Sequence, residues 1–277
     1  MIQEITGNRN ISFLSAGFSG IPHMRYYYIF LFIAYFISFL GNSCLMFVII
    51  TDRNLHTPKY ITVFNLSLTD ICESTAVIPQ LLDAFLFGNH LISYGLCMSN
   101  MLFVSVQSLT LTILSLDRLV AICLPLMYHV TVTHRSMLVM IGASWTLAIT
   151  AAVFMTFFLQ SYYVIMSVLF QVIIMFPVFC IIFSYTCIAV TLFRITTPQD
   201  RQGATKTCAA HLILVAVFYI SSTLHNSLII LSLITALSPM LNSIINTFMA
   251  KEFMAFVKRL VKKRIMFSSK IPTVFQL

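Results

Sequence analysis

The chain has 277 residues, 59% of them hydrophobic and only 9% charged, with a mean hydropathy of +0.95. Soluble domains carry about 25% charged residues, and no soluble core of this length could hide so much apolar surface, so the class is an integral membrane protein. The net charge of +8 does not point to nucleic acid, because the basic residues follow a loop pattern set out below. The seven cysteines contain no CxxC spacing and do not cluster with histidine, and no nucleophile–base pair stands out. Neither a metal site, nor a cofactor, nor an enzyme is expected.

In chain order, residues 1–25 contain Gly, Asn, Arg and Pro but no apolar core of a signal peptide, so the first span should serve as the insertion signal. This segment is expected outside the cell, where Asn10–Ile11–Ser12 makes Asn10 a glycosylation acceptor. A span needs about 20 mostly apolar residues. Residues 26–50 supply the first, and residues 60–82 the second, with Asp70 and Glu73 inside it. Asn65–Leu66–Ser67 is also a sequon, but within a span it is out of reach of glycosylation. Residues 97–116 form the third span, residues 137–159 the fourth, and residues 163–193 the fifth, in which Pro177 predicts a kink. Residues 207–250 run for 44 positions without a formal charge, too long for one helix and enough for two, with the polar stretch 221–227 as the break.

Seven spans follow, giving an all-α membrane protein: an extracellular segment at 1–25, a seven-helix domain at 26–250 and a basic cytoplasmic tail at 251–277. Charge placement supports the count. The loops after spans one, three, five and seven hold 14 of the 16 Lys and Arg, and the loops after spans two, four and six hold none. That is the pattern of a bundle with its N-terminus outside and its basic loops in the cytoplasm. The basic tail also suits anionic lipid headgroups.

Polar groups inside spans are costly and usually face the bundle interior. Asn42 and Asp70 both lie near the inner ends of their spans. They could bond to each other across the helix interface, directly or through water or a sodium ion, or could simply act as packing glue. Asp70 and Glu73 are three residues apart and share one helical face. Asp117 and Arg118 end the third span at the inner surface. They either mark the water interface or form a switch, in which an arginine tied to its neighbouring carboxylate holds one helix packing and its release favours another.

Here the sequence resembles a known family. Residues 115–129, SLDRLVAICLPLMYH, resemble the end of helix three in odorant receptors of the rhodopsin-like G-protein-coupled class, with Leu119 where the family has tyrosine. GNSCLMFVI from Gly41, LHTPKY from Leu55, NLSLTD from Asn65, Ser184–Tyr185, TCAAHL from Thr207 with His211, Phe218–Tyr219, and PMLNSIINTFMAKEF with Asn242 resemble further motifs of that family. The likeness covers nearly the whole chain, and the wording is similar to fish odorant receptors. It implies a plasma-membrane receptor that binds a small-molecule odorant between helices three, five and six and activates a heterotrimeric G protein. It also implies residue roles. Asp117, Arg118, Tyr185, His211 and Tyr219 would form the G-protein switch. Asn42, Asp70 and Asn242 would form a polar core of sodium-site type. Ser105, Leu169, Ile173, Ser222 and Thr223 would lie near the ligand pocket, with a plain packing role open for Ser105.

Three departures stand out. The second extracellular loop is nearly absent, so Cys97, which resembles half of the family's disulfide, is expected to be unpaired. Cys97 lies 21 residues before Arg118, about one helical turn closer than in the family. The helix-seven motif reads Asn242–Ser243–Ile244–Ile245–Asn246, without its proline and tyrosine. The lost outer loops predict impaired ligand capture. The alternatives are a truncated, non-functional receptor product and a small transporter or channel, although no internal repeat favours a transporter.

Overall fold

The structure is a computed structural model that describes residues 2–7, 10–15, 24–87, 91–158 and 163–194, together with positions 202, 205, 208, 209, 211–213, 215, 216, 218, 219, 237, 239–242 and 244. Helix α1 (Met24–Thr51) is apolar on all sides, so only packing distinguishes its faces. Leu31, Ala34, Ser38, Asn42, Leu45 and Val48 are buried at steps of three and four, which is one face of a helix. Phe32, Phe36, Phe39, Leu40 and Phe47 are exposed, as suits acyl chains. The buried stripe packs on α2 (Pro58–Phe87), which begins with a proline at a position where no N–H is needed.

Helix α3 (Tyr94–Cys123) is the centre of the bundle. Residues 105–108, 110, 111, 113–115 and 117 are all buried, and consecutive buried positions cannot share one face. The helix is therefore surrounded, packing on α2, on α4 (His134–Phe158) and on α5 (Tyr163–Arg194). Its hydroxyls donate back to the preceding turn: Ser105 to Met101 O (2.8 Å), Thr110 to Val106 O (2.7 Å) and Thr112 to Ser108 O (3.1 Å). No hydroxyl of these three is left bare in the apolar interior.

One boundary differs from the sequence expectation in a way that changes the site. The third span does not end at residue 116, and Asp117 and Arg118 are not its terminus. The helix runs on to Cys123, because nothing breaks it before Pro125. Proline disfavours helical geometry in the residue before it, and Leu124 sits at φ −132°, ψ 55°. A 3-10 turn (Pro125–Met127) and a single helical turn (Tyr128–Thr131) then lead to α4. Helix α4 is capped reciprocally: the Ser136 N–H donates to Thr133 Oγ1 (3.2 Å), and the Thr133 N–H donates to Ser136 Oγ (3.0 Å).

Five described helices contain segments long and apolar enough to cross a membrane: Ile29–Thr51, Pro58–Pro79, Met98–Cys123, His134–Phe154 and Met175–Arg194. They match the first five expected spans, and α5 continues through Pro177. The described positions between 202 and 219 and between 237 and 244 are helical. The expected break at 221–227 lies outside the described residues. The helical bundle carries one addition to the all-α expectation. β1 (Ile2–Gly7) pairs antiparallel with β2 (Asn10–Ser15), which pairs antiparallel with β3 (Leu91–Ser93) just ahead of α3.

Candidate functional site

Two polar clusters are strung along α3. The first lies mid-bundle. Asp70 on α2 is fully buried, and its Oδ1 accepts from Gln107 Nε2 of α3 (2.6 Å) and from Asn242 Nδ2 (3.1 Å). Three parts of the chain thus meet on one carboxylate oxygen. Among the described residues, Asp70 Oδ2, Glu73 Oε2 and Gln107 Oε1 are buried without hydrogen-bond partners. Of the two readings left open by the sequence, a bond to Asp70 and a plain packing role, the structure shows no direct Asn42–Asp70 bond. Asn42 Nδ2 donates to Ser38 O (3.0 Å) and to Pro239 O (3.2 Å), so it ties α1 to the segment that carries Asn242. The rotation of α1 decides this, because it presents Asn42 to Pro239.

Gln107 was not singled out from sequence, although an amide in the middle of an apolar span is the signal that would have found it. Asn65 enters the sequence reading as an unreachable sequon and as the start of the NLSLTD motif, with no helix contact assigned to it. In the structure its Nδ2 donates to Thr110 Oγ1 (2.9 Å), while its Oδ1 accepts from Trp145 Nε1 (2.9 Å), so one amide clamps α2, α3 and α4 together.

The second cluster occupies the last turns of α3. Asp117 is 2% exposed, and its Oδ2 lies 3.2 Å from an Arg118 guanidinium nitrogen. The Tyr128 hydroxyl donates to Asp117 Oδ1 (2.9 Å). Adjacent helical residues point in different directions, so Asp117 packs inward while the long Arg118 side chain folds back to it. Burial and the Asp117 carboxylate push the Tyr128 phenol up to about 12, which keeps it a hydrogen-bond donor at neutral pH. Beside this cluster the Tyr185 hydroxyl of α5 is hydrogen-bonded to His211 Nδ1, and the two rings stack with centroids 5.7 Å apart. His211 is buried, and its Nε2 has no partner among the described residues. One turn pair further into the bundle, the hydroxyls of Tyr219 and Ser108 lie 2.8 Å apart. The structure therefore gathers Asp117, Arg118, Tyr185 and His211 at one end of α3, and sets Tyr219 closer to mid-bundle.

Of the residues assigned to the ligand pocket, Ser105 is buried and lines a crevice between α3 and α4 with Met98, Met101, Leu102, Ala148, Ala151 and Ala152. This crevice has a volume of about 10 Å³, room for one water molecule. Leu169 and Ile173 lie on α5, but their side chains are outside the described residues, as are Ser222 and Thr223 altogether. Cys97 lies in the first turn of α3 and Asn10 at the start of β2, and the side chains of both are outside the described set. Among the described residues no group of three or more His, Cys, Asp or Glu could hold a metal ion.

The described residues thus form a membrane-spanning helical bundle organised around a surrounded third helix, with an Asp–Arg pair at one end and a buried Asp–Asn–Gln junction at its middle. The sequence profile described as 7 transmembrane receptor (rhodopsin family) matches residues 41–261. The chain is 30% identical to olfactory receptor 13C2 of Homo sapiens over 92% of its own length and 96% of that protein's. It is 32% identical to olfactory receptor 8B8 of Mus musculus over 75% of this chain and 78% of that protein, and 29% identical to olfactory receptor 1A1 of Homo sapiens over 95% and 99%. The chain belongs to the rhodopsin family of seven-transmembrane receptors, in its olfactory receptor branch. It is accordingly a multi-pass plasma-membrane receptor and not an enzyme, and the family gives no support to a transporter or channel.

Proposed function

We propose that this receptor binds a small-molecule odorant between its helices and passes the signal to a heterotrimeric G protein at the Arg118 end of α3. The observation that carries the proposal is that one helix bears both polar clusters. Gln107 and Ser108 join α3 to Asp70 and Tyr219, and Asp117 and Arg118 lie nearly three turns further on, beside Tyr185 and His211. A ligand that favours one packing of the helices over another shifts the population of the state that the G protein recognises. In the resting arrangement Asp117 holds Arg118, and Tyr128 holds Asp117. Release of Arg118 toward the G protein exchanges these contacts for new ones.

On this reading the N-terminus and Asn10 lie outside, residues 26–250 form the receptor domain, and the tail at 251–277 lies in the cytoplasm against anionic lipid. Nucleic acid is not a partner. The orphaned oxygens of Asp70, Glu73 and Gln107 form an all-oxygen set, which fits a hard cation such as sodium. With such an ion bound, one carboxylate charge in the apolar interior is balanced, and Asn242 and Gln107 keep Asp70 oriented. Ser105 is proposed to contribute to the ligand pocket from the outer part of α3, with Leu169, Ile173, Ser222 and Thr223.

The test is a cAMP reporter assay with an odorant panel in cells expressing the receptor, run beside an ion-flux assay. A reporter response that Arg118→Ala removes, with no flux, is the expected result. Flux without a reporter response would restore the transporter alternative.

A further inference from the structure

The strands at the N-terminus have no part in the switch just described. In the β1–β2 hairpin Gly7 pairs with Asn10, so only residues 8 and 9 separate the strands, and Ile2 pairs with Ser15 at the far end. A lone two-stranded hairpin is marginally stable at best in water, and this one has a third strand. Ser12, Phe13 and Leu14 pair with Ser93, Ile92 and Leu91 of β3. β3 ends at Ser93 and α3 begins at Tyr94, so the sheet joins the central helix of the bundle without a linker, and β2 itself lies against α3. With strands about 4.8 Å apart, the sheet is a plate roughly 10 Å wide and 20 Å long, the scale of a mouth between helices packed about 8–10 Å apart. The connection from Phe158 of α4 to Tyr163 of α5 reaches about 17 Å at most, and joining the two helix ends leaves too little chain to fold over that mouth. Below the sheet, about 9 Å along α3 from Tyr94, Asn100 Oδ1 is buried without a hydrogen-bond partner among the described residues. Asn100 stands on the stripe of Val104, Gln107 and Leu111, at steps of four, three and four. Gln107 and Leu111 are fully buried, and Val104 packs on the cluster that includes Tyr185 of α5, so this stripe faces inward.

We propose that the β1–β2 hairpin is the outer cover of the ligand site, and that its lifting from β3 admits a small molecule to the Asn100 stripe. The proposal rests on the reading above that ligand binds between the helices at the outer part of α3. The two ladders differ in the way a moving cover needs. β2 and β3 share three residue pairs, whereas β1 and β2 share six, so the hairpin stays closed on itself while the shorter ladder opens. Access to the stripe then scales with the fraction of receptors whose cover is open.

The experiment uses the receptor on intact cells and needs no odorant. Its probe is a membrane-impermeant methanethiosulfonate, which modifies the cysteine placed by Asn100→Cys in a Cys97→Ser background, and mass spectrometry of surface receptor reads the rate. Deleting residues 2–15 is expected to raise that rate about tenfold or more. Phe13→Cys with Ile92→Cys joins Cα partners that lie within the roughly 7 Å a disulfide requires, and the pair is expected to lower the rate about fivefold or more relative to either single substitution. Asn10→Gln, which removes only the glycan acceptor, is expected to leave the rate unchanged. No linked peptide between the two introduced cysteines, equal rates with and without the hairpin, or a rise with Asn10→Gln as large as with the deletion overturns the cover. If the deleted form does not reach the surface, the paired and single cysteine variants decide the outcome. Rates that shift as expected, beside an odorant panel that draws no cAMP response, support the cover and overturn the signalling reading. A cAMP response with unshifted rates does the reverse.

Discussion

At the scale of single residues, the Asp117–Arg118–Tyr128 chain decides how the inner end of α3 behaves. Asp117→Ala removes the carboxylate that holds Arg118, so basal G-protein signalling should rise, whereas Arg118→Ala should abolish coupling while surface expression persists. Reporter output normalised to surface antibody staining checks both, and an equal loss of staining in the two variants would reduce the pair to a structural interface. Tyr128→Phe is subtler. It leaves the hydrogen-bonding capacity of a buried carboxylate oxygen unmet, which costs about 1–3 kcal/mol. Basal signalling should therefore rise, by less than in Asp117→Ala, and the purified receptor should melt at a lower temperature. The sign of its pH dependence also follows. The folded phenol keeps its proton up to about 12, against an ordinary 10.0. The folded state then binds more protons between those values, and stability from this group is intact below about 10 and lost as pH rises through about 12. Across physiological pH, melting curves of wild type and Tyr128→Phe should therefore stay parallel.

At the scale of elements, interhelical amides matter more than ion pairs. Asn65 joins α2 to α3 through Thr110 and to α4 through Trp145. Interhelical hydrogen bonds in membranes average about 0.6 kcal/mol each, so Asn65→Ala should cost on the order of 1 kcal/mol. Asn65→Leu, close in size, should lose a similar amount. Thermal denaturation in detergent measures both, and no shift in either variant would mean that packing alone holds the three helices. The existence of the helices was legible from hydropathy, but their roles were not. α1 is apolar on both its lipid face, with Phe36 and Phe47, and its buried face, with Leu31 and Leu45, so no periodicity marks which side carries Asn42 inward. In a soluble helix the polar face would have told; in lipid that contrast vanishes. The end of α3 was misplaced for a related reason. Asp117 and Arg118 look like an interface in sequence, but charge does not stop a helix, and Pro125 does.

At the scale of the whole molecule, the arrangement of basic loops is the strongest sequence feature. A tag ahead of Met1 should be reached by antibody on intact cells, and a tag after Leu277 only after permeabilisation, because 14 of 16 Lys and Arg fall after odd-numbered spans. Both tags on the same side would refute a seven-span arrangement in this chain. The sequence by itself determined the membrane class, the number of spans and the receptor family, since these depend on total hydropathy, on charge parity and on motifs that each read locally. Tertiary structure alone decided that Asn42 bonds to Pro239 O and not to Asp70, that Gln107 shares Asp70 with Asn242, and that Tyr185 meets His211 across 26 residues of sequence. Each of these depends on how one helix is rotated against another. That rotation is set by the shapes of side chains packed at the interface, while the bilayer accepts any apolar face that the packing leaves outside.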